Sequence, residues 1–410
     1  MSNNFGKIAK RWREIQGDSN WENLLDQPDK DLRLSIINYG EMAQAAYDGF
    51  NKERRSPNLG AARYKEFNLL QKVRVSTTNA YTITKYLYAT SNIDVPDAFI
   101  VKLPSKESNW MGFVAVATDK AKTLLGRRDI LVAWRGTIQT LEWVNDFDCT
   151  LTSASELVGP TEPDDGEPMV HQGFLSIYTS DNPNSRFDKR SSREQVLTEI
   201  ARLMDKYSNE ETSITITGHS LGAALSTLCA IDIATKHLNY CSSYSCHNSC
   251  PVTAIVFASP RVGDYNFQKA YSKQLDLKLL RVRNVMDIVP NVPPPNPYCD
   301  VGVELTIDLT KSPYIKNPGD AVTWHNLENY LHGVAGMQKD GFRLEVDRDI
   351  ALVNKSADIL KNVYPVPVAW FVNKNKDMVK GNDGRWRLDD YEGEDDMCSC
   401  FDVISLFRCL

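Results

Sequence analysis

One stretch limits the possible folds more than any other. Residues 213–217 (SITIT) are short and β-branched, Gly218-His219-Ser220-Leu221-Gly222 follows, and the next run, LGAALSTLCAIDIATKHL, is made of small and apolar residues. A strand, a glycine-flanked turn and a small-residue helix predict a β-α unit in which helix and sheet lie close together. The glycines have a steric reason. The turn forces residue 220 into a strained backbone conformation, and a Cβ at 218 or 222 would strike the neighbouring strand and helix. Ala223 and Ala224 permit the same close approach. The turn also sets Ser220 at a helix N-terminus, where the backbone N–H of Leu221 can point at a developing oxyanion. Ser220 is thus the candidate nucleophile.

The rest of the chain supplies compatible elements. Residues 110–117 (WMGFVAVA), 130–134 (ILVAW), 252–257 (VTAIVF) and 277–282 (LKLLRV) read as strands. Residues 31–50 place Leu34, Ile37, Met42 and Ala45 about one turn apart, an amphipathic helix, and residues 265–275 are helical in pattern. Strands alternating with helices predict an α/β fold with a central, mostly parallel sheet and helices on both faces. Residues 51–70 read as a loop followed by a short helix, and residues 153–168, 239–251 and 287–297 read as loops. The expected organisation is a helical extension over 1–75, the α/β unit over 76–365, and a β-like extension with an acidic, cysteine-bearing tail over 366–410.

Composition narrows the function classes. The chain of 410 residues carries 47 Lys and Arg against 53 Asp and Glu, a formal charge of −6, so no global field attracts nucleic acid. No apolar run approaches the roughly 18 residues of a spanning helix, and the start has no signal-type apolar core, so a cytoplasmic location is expected. In that compartment the nine cysteines read as thiols. Cys241, Cys246, His247 and Cys250 lack the paired short spacings of structural zinc, so no metal is expected. Cys398, Cys400 and Cys409 near the end are open to acylation, but Cys409 is not in a prenylation box. With no phosphate loop or dinucleotide fingerprint, no cofactor is expected either. The basic clusters Lys52, Arg54, Arg55 and Lys120, Lys122, Arg127, Arg128 read as solvated faces.

A serine hydroxyl needs a base to act as a nucleophile near neutral pH. Downstream of Ser220 stand His237, His247, His325 and His332. His237 lies about 17 residues along the helix that leaves the turn, roughly 25 Å away, and cannot reach. His247 sits in the cysteine-bearing loop, leaving His325 and His332. For the acid, Asp287 follows the strand 277–282 closely, where open α/β sheets build their sites. Asp264, Asp300 and Asp308 compete with it on sequence alone.

Several segments together resemble the fungal-type class 3 lipases, and among them the plant phospholipase A1 branch whose members lack a transit peptide. They are Trp21-Glu22-Asn23-Leu24-Leu25, Tyr39-Gly40-Glu41, Tyr47-Asp48, Trp134-Arg135-Gly136-Thr137, the Ser220 turn, Asp287-Ile288-Val289-Pro290, His325-Asn326-Leu327-Glu328-Asn329-Tyr330, Asn373-Lys374-Asn375-Lys376 and Asp383-Gly384-Arg385-Trp386. The likeness covers nearly the whole chain. It implies an α/β-hydrolase fold with Asp287 and His325 completing a triad with Ser220. It adds the backbone N–H of Thr137 as a second oxyanion donor beside Leu221, and a short lid after Trp134 bearing Ile138, Leu141 and Trp143. It implies cleavage of the sn-1 ester of glycerophospholipids at a membrane surface. The competing readings are an acylglycerol lipase or carboxylesterase, and a catalytically silent lipase-like scaffold.

Overall fold

A computed structural model describes residues 7–54, 56–103, 107–137, 148–159, 165–240, 249–371 and 378–388. The apolar runs assemble into a seven-stranded sheet of β1 (Tyr81–Ala89), β2 (Asn109–Ala117), β3 (Arg128–Trp134), β4 (Thr212–His219), β5 (Val252–Phe257), β6 (Leu277–Asn284) and β7 (Val303–Ile307). Spatial order follows chain order. β3 to β7 run parallel, while β2 is antiparallel to both β1 and β3. The antiparallel step from β2 to β3 has a simple cause. Only Thr118 to Arg127 join β2 to β3, and a parallel crossover needs about a dozen residues or more.

Among the described residues the α-helices of five or more residues are α1 (Lys30–Asp48), α2 (Asp119–Leu125), α3 (Gln172–Thr179), α4 (Ser192–Lys206), α5 (Leu221–Thr235), α6 (Tyr265–Ser272), α7 (Ala321–His325) and α8 (Leu327–Gly336). The period of two along the strands divides them into two layers. Leu131 and Ala133 of β3, with Ile255, Phe257, Leu280 and Val282, pack on one side against α1, α2 and α8. Ile130, Val132 and Trp134, with Ile214, Ile216, Ala254 and Val256, pack on the other against α3, α4, α5 and α6. Ile8, Trp12, Ile15 and Trp21 from the start of the chain join the first of these cores. α1 is held at its start by Asp29, whose carboxylate accepts from the N–H groups of Asp31 and Leu32. Its buried Arg33 donates to the carbonyls of Val334 and Met337 at the end of α8, so these two helices are locked together over the sheet.

Leu151–Ser153, Met169–His171, Gly263–Asp264 and Tyr298–Cys299 form a second, four-stranded antiparallel sheet. Within the stretch 153–168 read as a loop, a one-turn helix forms at Ser155–Val158.

Arg127 and Arg128 do not lie on a solvated face: they are 1% and 4% exposed. Arg127 donates to Ser213 Oγ and Tyr39 Oη and stacks on Trp12. Arg128 donates to Ala117 O and pairs with Asp119 and Glu210. Most of these partners lie more than eighty positions away in the chain, and they supply what an arginine needs to be buried. Lys52, Arg54 and Lys120 are exposed; Arg55, Cys241, Cys246, His247, Cys398, Cys400 and Cys409 lie outside the described residues.

Candidate active site

The parallel strands end together, and the candidate residues gather at that end. Trp134 pairs in register with Gly218, and Gly218 with Val256, so the segments after β3, β4, β5 and β6 converge. Between β4 and α5 the chain reverses at Ser220 with φ 59° and ψ −126°, a left-handed conformation for a residue with a side chain. Its N–H is held by Phe257 O at 3.0 Å. The glycines allow close contact of backbones. A Cβ at Gly218 would stand 2.2 Å from Gly222 O, and one at Gly222 would stand 2.5 Å from Trp134 O and 3.0 Å from Arg135 O. The start of α5 therefore lies directly against the segment leading to Thr137. Leu221 is the first residue of α5, and its N–H is one of the donors a helix start leaves without an intrahelical partner.

His325 ends α7, and its ring enters between the two other candidates. Nε2 lies 2.9 Å from Ser220 Oγ, and Nδ1 lies 2.7 Å from Asp287 Oδ2. The carboxylate accepts the Nδ1–H, which leaves Nε2 free to accept the serine proton. Ser220 and Asp287 are buried, and His325 is 9% exposed. Asp287 lies three residues past β6 and is fixed by two further donors, Tyr330 Oη–H to Oδ2 at 2.6 Å and Val289 N–H to Oδ1 at 3.0 Å. Tyr330 in turn accepts from Asn284 N–H, and the Asn284 amide donates to Trp324 O beside His325. Burial and the nearby Asp287 charge hold the Tyr330 phenol well above its ordinary pKa, so it stays a donor.

The competing residues are occupied elsewhere. His332 Nε2 lies 2.9 Å from Ser312 Oγ and its ring stacks on Phe342. Asp264 caps α6 through Phe267 N–H. Asp300 pairs with Arg261 and Arg281, and Asp308 accepts from Thr310. Ile138, Leu141 and Trp143 lie outside the described residues. Among the described residues no group of His, Cys, Asp or Glu is placed to hold a metal ion.

The segment carrying Thr137 is built around Arg135, which is fully buried. Its guanidinium donates to Gly136 O at 2.6 Å and Trp110 O at 3.1 Å and lies 4.1 Å from the Phe50 ring centroid. Burial draws its pKa down to about 10, so it remains a cation. The sequence reading attached no role to Tyr330, Asn284, Arg135 or His219. Tyr330 stood within the quoted His325 segment, but neither its spacing nor its type marked it as a partner of a carboxylate across the sheet.

Residues 131–296 match the family described as Lipase (class 3). Phospholipase A1-II 1 of Oryza sativa, from both the indica and the japonica subspecies, is 56% identical over 398 residues, covering 95% of this chain and 98% of that protein. Phospholipase A1-II 7 of the indica subspecies is 53% identical over 400 residues, again covering 95% and 98%. Among solved structures, the Rhizomucor miehei lipase propeptide complex is 19% identical, with a TM-score of 0.45 over 68% of this chain and 70% of that one. With identity above one half along nearly its full length, the chain belongs to the class 3 lipase family, in its plant phospholipase A1 branch.

Proposed function

We propose that the chain is a serine ester hydrolase that cleaves the sn-1 ester of glycerophospholipids, releasing a fatty acid and a 2-acyl lysophospholipid. The observation that carries the chemistry is the unbroken series Ser220 Oγ, His325 Nε2, His325 Nδ1 and Asp287 Oδ2, with both contacts within 3 Å. Ser220 Oγ attacks the ester carbonyl as its proton passes to His325 Nε2. The carbonyl electrons move onto oxygen, and the N–H groups of Leu221 and Thr137 take up that charge. Donors of this kind are each worth about 3 kcal/mol of barrier. The intermediate collapses as Nε2–H gives its proton to the departing lysophospholipid oxygen. A water, deprotonated by the same nitrogen, then attacks the acyl-serine and frees the fatty acid. Asp287 holds the imidazole tautomer and offsets its transient positive charge.

The substrate class comes from the plant relatives named phospholipase A1-II. Ser220 is fully buried, so an ester reaches it only after a covering group moves. The reading assigns that movement to the segment of Ile138, Leu141 and Trp143, which would turn toward lipid at a membrane surface. Cytoplasmic action is part of the reading. The test is product analysis with phosphatidylcholine carrying distinguishable acyl chains at its two positions. Release of the sn-1 chain, with the sn-2 chain retained on the lysophospholipid, is expected. Preferential sn-2 release, or turnover of triacylglycerol with none of phosphatidylcholine, overturns the assignment.

A further inference from the structure

The buried imidazole of His219, next to the nucleophile, takes no part in the steps above. It is nonetheless bonded at both nitrogens. Nε2 lies 2.9 Å from the backbone oxygen of His325, and Nδ1 lies 2.8 Å from Tyr47 Oη. A carbonyl only accepts, so Nε2 carries the proton; Nδ1 then accepts from the Tyr47 hydroxyl. Tyr47 stands in the last turn of α1, and its oxygen lies against Gly136. A Cβ at Gly136 would lie 1.9 Å from that oxygen, so phenol and turn are in direct contact. The result is one series: Tyr47 Oη seated against Gly136, Tyr47 O–H to His219 Nδ1, and His219 Nε2–H to the carbonyl of His325.

We infer that His219 and Tyr47 are positioning residues that fix the backbone of His325 relative to the turn carrying Thr137. The inference rests on the hydrolase reading proposed above. The need for such a link follows from the local structure. His325 closes a helix of five residues, and the next residue, Asn326, is extended at φ −74° and ψ 126°. Its carbonyl is thus among those a helix end leaves without an intrahelical donor, and His219 supplies that donor. Asp287 fixes the ring of His325, while His219 fixes the peptide from which the ring hangs. The phenol of the same series rests against Gly136, the residue before Thr137, so base and oxyanion donor share one reference point on α1. Burial holds His219 well below the ordinary histidine pKa and so keeps the neutral form that the series requires.

The test compares His219→Ala, His219→Asn, His219→Gln and Tyr47→Phe on a soluble short-chain p-nitrophenyl ester. Fluorophosphonate labelling rates and thermal melts are run on the same samples. A glutamine amide can place an N–H near the Nε2 position, whereas asparagine reaches only as far as Nδ1. His219→Ala and His219→Asn are expected to lower kcat about 10- to 100-fold at nearly unchanged KM, the cost of misplacing a reacting group by a fraction of an ångström. His219→Gln should recover most of that loss. Tyr47→Phe should lower kcat as well, and combined with His219→Ala should cost less than the product of the two separate effects. The inference is overturned if folded His219→Asn and Tyr47→Phe label at the wild-type rate, or if glutamine does no better than asparagine. If alanine at 219 fails to fold, the glutamine–asparagine pair and Tyr47→Phe decide the matter. A wild type that does not label overturns the hydrolase reading itself.

Discussion

Replacing Gly222 by alanine adds one methyl group at the point where α5 touches the end of β3. The new Cβ would lie 2.5 Å from Trp134 O, 2.9 Å from Arg135 C and 3.0 Å from Arg135 O. An ordinary carbon–oxygen contact is no closer than about 3.3 Å. All three opposing atoms belong to the backbone, so no rotamer change relieves the contact, and helix and strand end must separate by roughly 0.8 Å. Overpacking of this size costs about 1–3 kcal/mol, a shift of a few degrees in Tm. The effect on catalysis should be larger. The separation moves Leu221 N–H away from Thr137 N–H, and a misplacement near 1 Å, or loss of one oxyanion donor, costs about 100-fold in rate. Ala230→Gly serves as the comparison. It lies mid-helix in α5, is itself fully buried, and should lose about 1 kcal/mol or somewhat more through helix propensity and a lost methyl, without pushing on the Thr137 segment. The assay is kcat on a soluble p-nitrophenyl ester, normalised to folded protein from thermal melts. Gly222→Ala is expected to lose about two orders of magnitude in kcat while Ala230→Gly keeps most of its activity. If both variants lose similar stability and Gly222→Ala stays within about threefold of wild type, the argument that the glycine sets the spacing of the oxyanion donors is wrong.

Three further outcomes are expected. His325→Ala should abolish turnover, whereas His332→Ala should keep most of it and lose stability instead, because His332 is bonded to Ser312 and stacked on Phe342 away from Ser220; the reverse pattern in kcat contradicts the base assignment. Arg135→Lys should lower denaturant stability by about 3 kcal/mol, since an ammonium cannot reproduce the forked contacts to Gly136 O and Trp110 O; an unchanged urea midpoint would show that the guanidinium geometry is dispensable. Burial pushes His332 down to about 3, His171 down to about 4, and His219 well below its ordinary value. The unfolded chain binds these protons near pH 6.5 and the folded chain does not, so their contribution is fully present above that pH and is lost as pH falls toward 3. His332 alone should remove on the order of 3 kcal/mol by pH 4. Unfolding midpoints measured from pH 7 to 4 should fall less steeply in His332→Gln, and parallel curves for the two proteins would contradict this.

What could be read before the structure was whatever depended on local pattern. The elbow at Ser220 carried its own context in strand, glycine and small-residue helix. The amphipathic run read over 31–50 is the helix Lys30–Asp48. Periodicity was weaker where polar residues sit in strands. β1, with Thr82, Thr84 and Lys85 in YTITKYLYA, lies at the sheet edge, where half-buried polar side chains are tolerated. It was not recognised, and neither was β7. What could not be read was tertiary pairing. Arg127 and Arg128 look like surface charges until Ser213, Tyr39 and Glu210 come into view. Spacing alone left His325 and His332 equal and four aspartates open; the resemblance preferred His325 and Asp287, and the geometry brings those two to Ser220. Tyr47 and His219 meet across 172 positions of chain, a juxtaposition no local pattern announces.

The central claim is that the hydroxyl at 220 is made nucleophilic by the imidazole at 325. The most direct measurement is the site and rate of reaction with a fluorophosphonate, read by mass spectrometry of peptides from wild type, Ser220→Ala and His325→Ala. A phosphonyl adduct on Ser220 in wild type, none on the peptide spanning position 220 in Ser220→Ala, and a rate lowered by orders of magnitude in His325→Ala are the predicted results. Labelling of Ser220 that proceeds undiminished without the imidazole, or an adduct found on a different serine, would contradict the account.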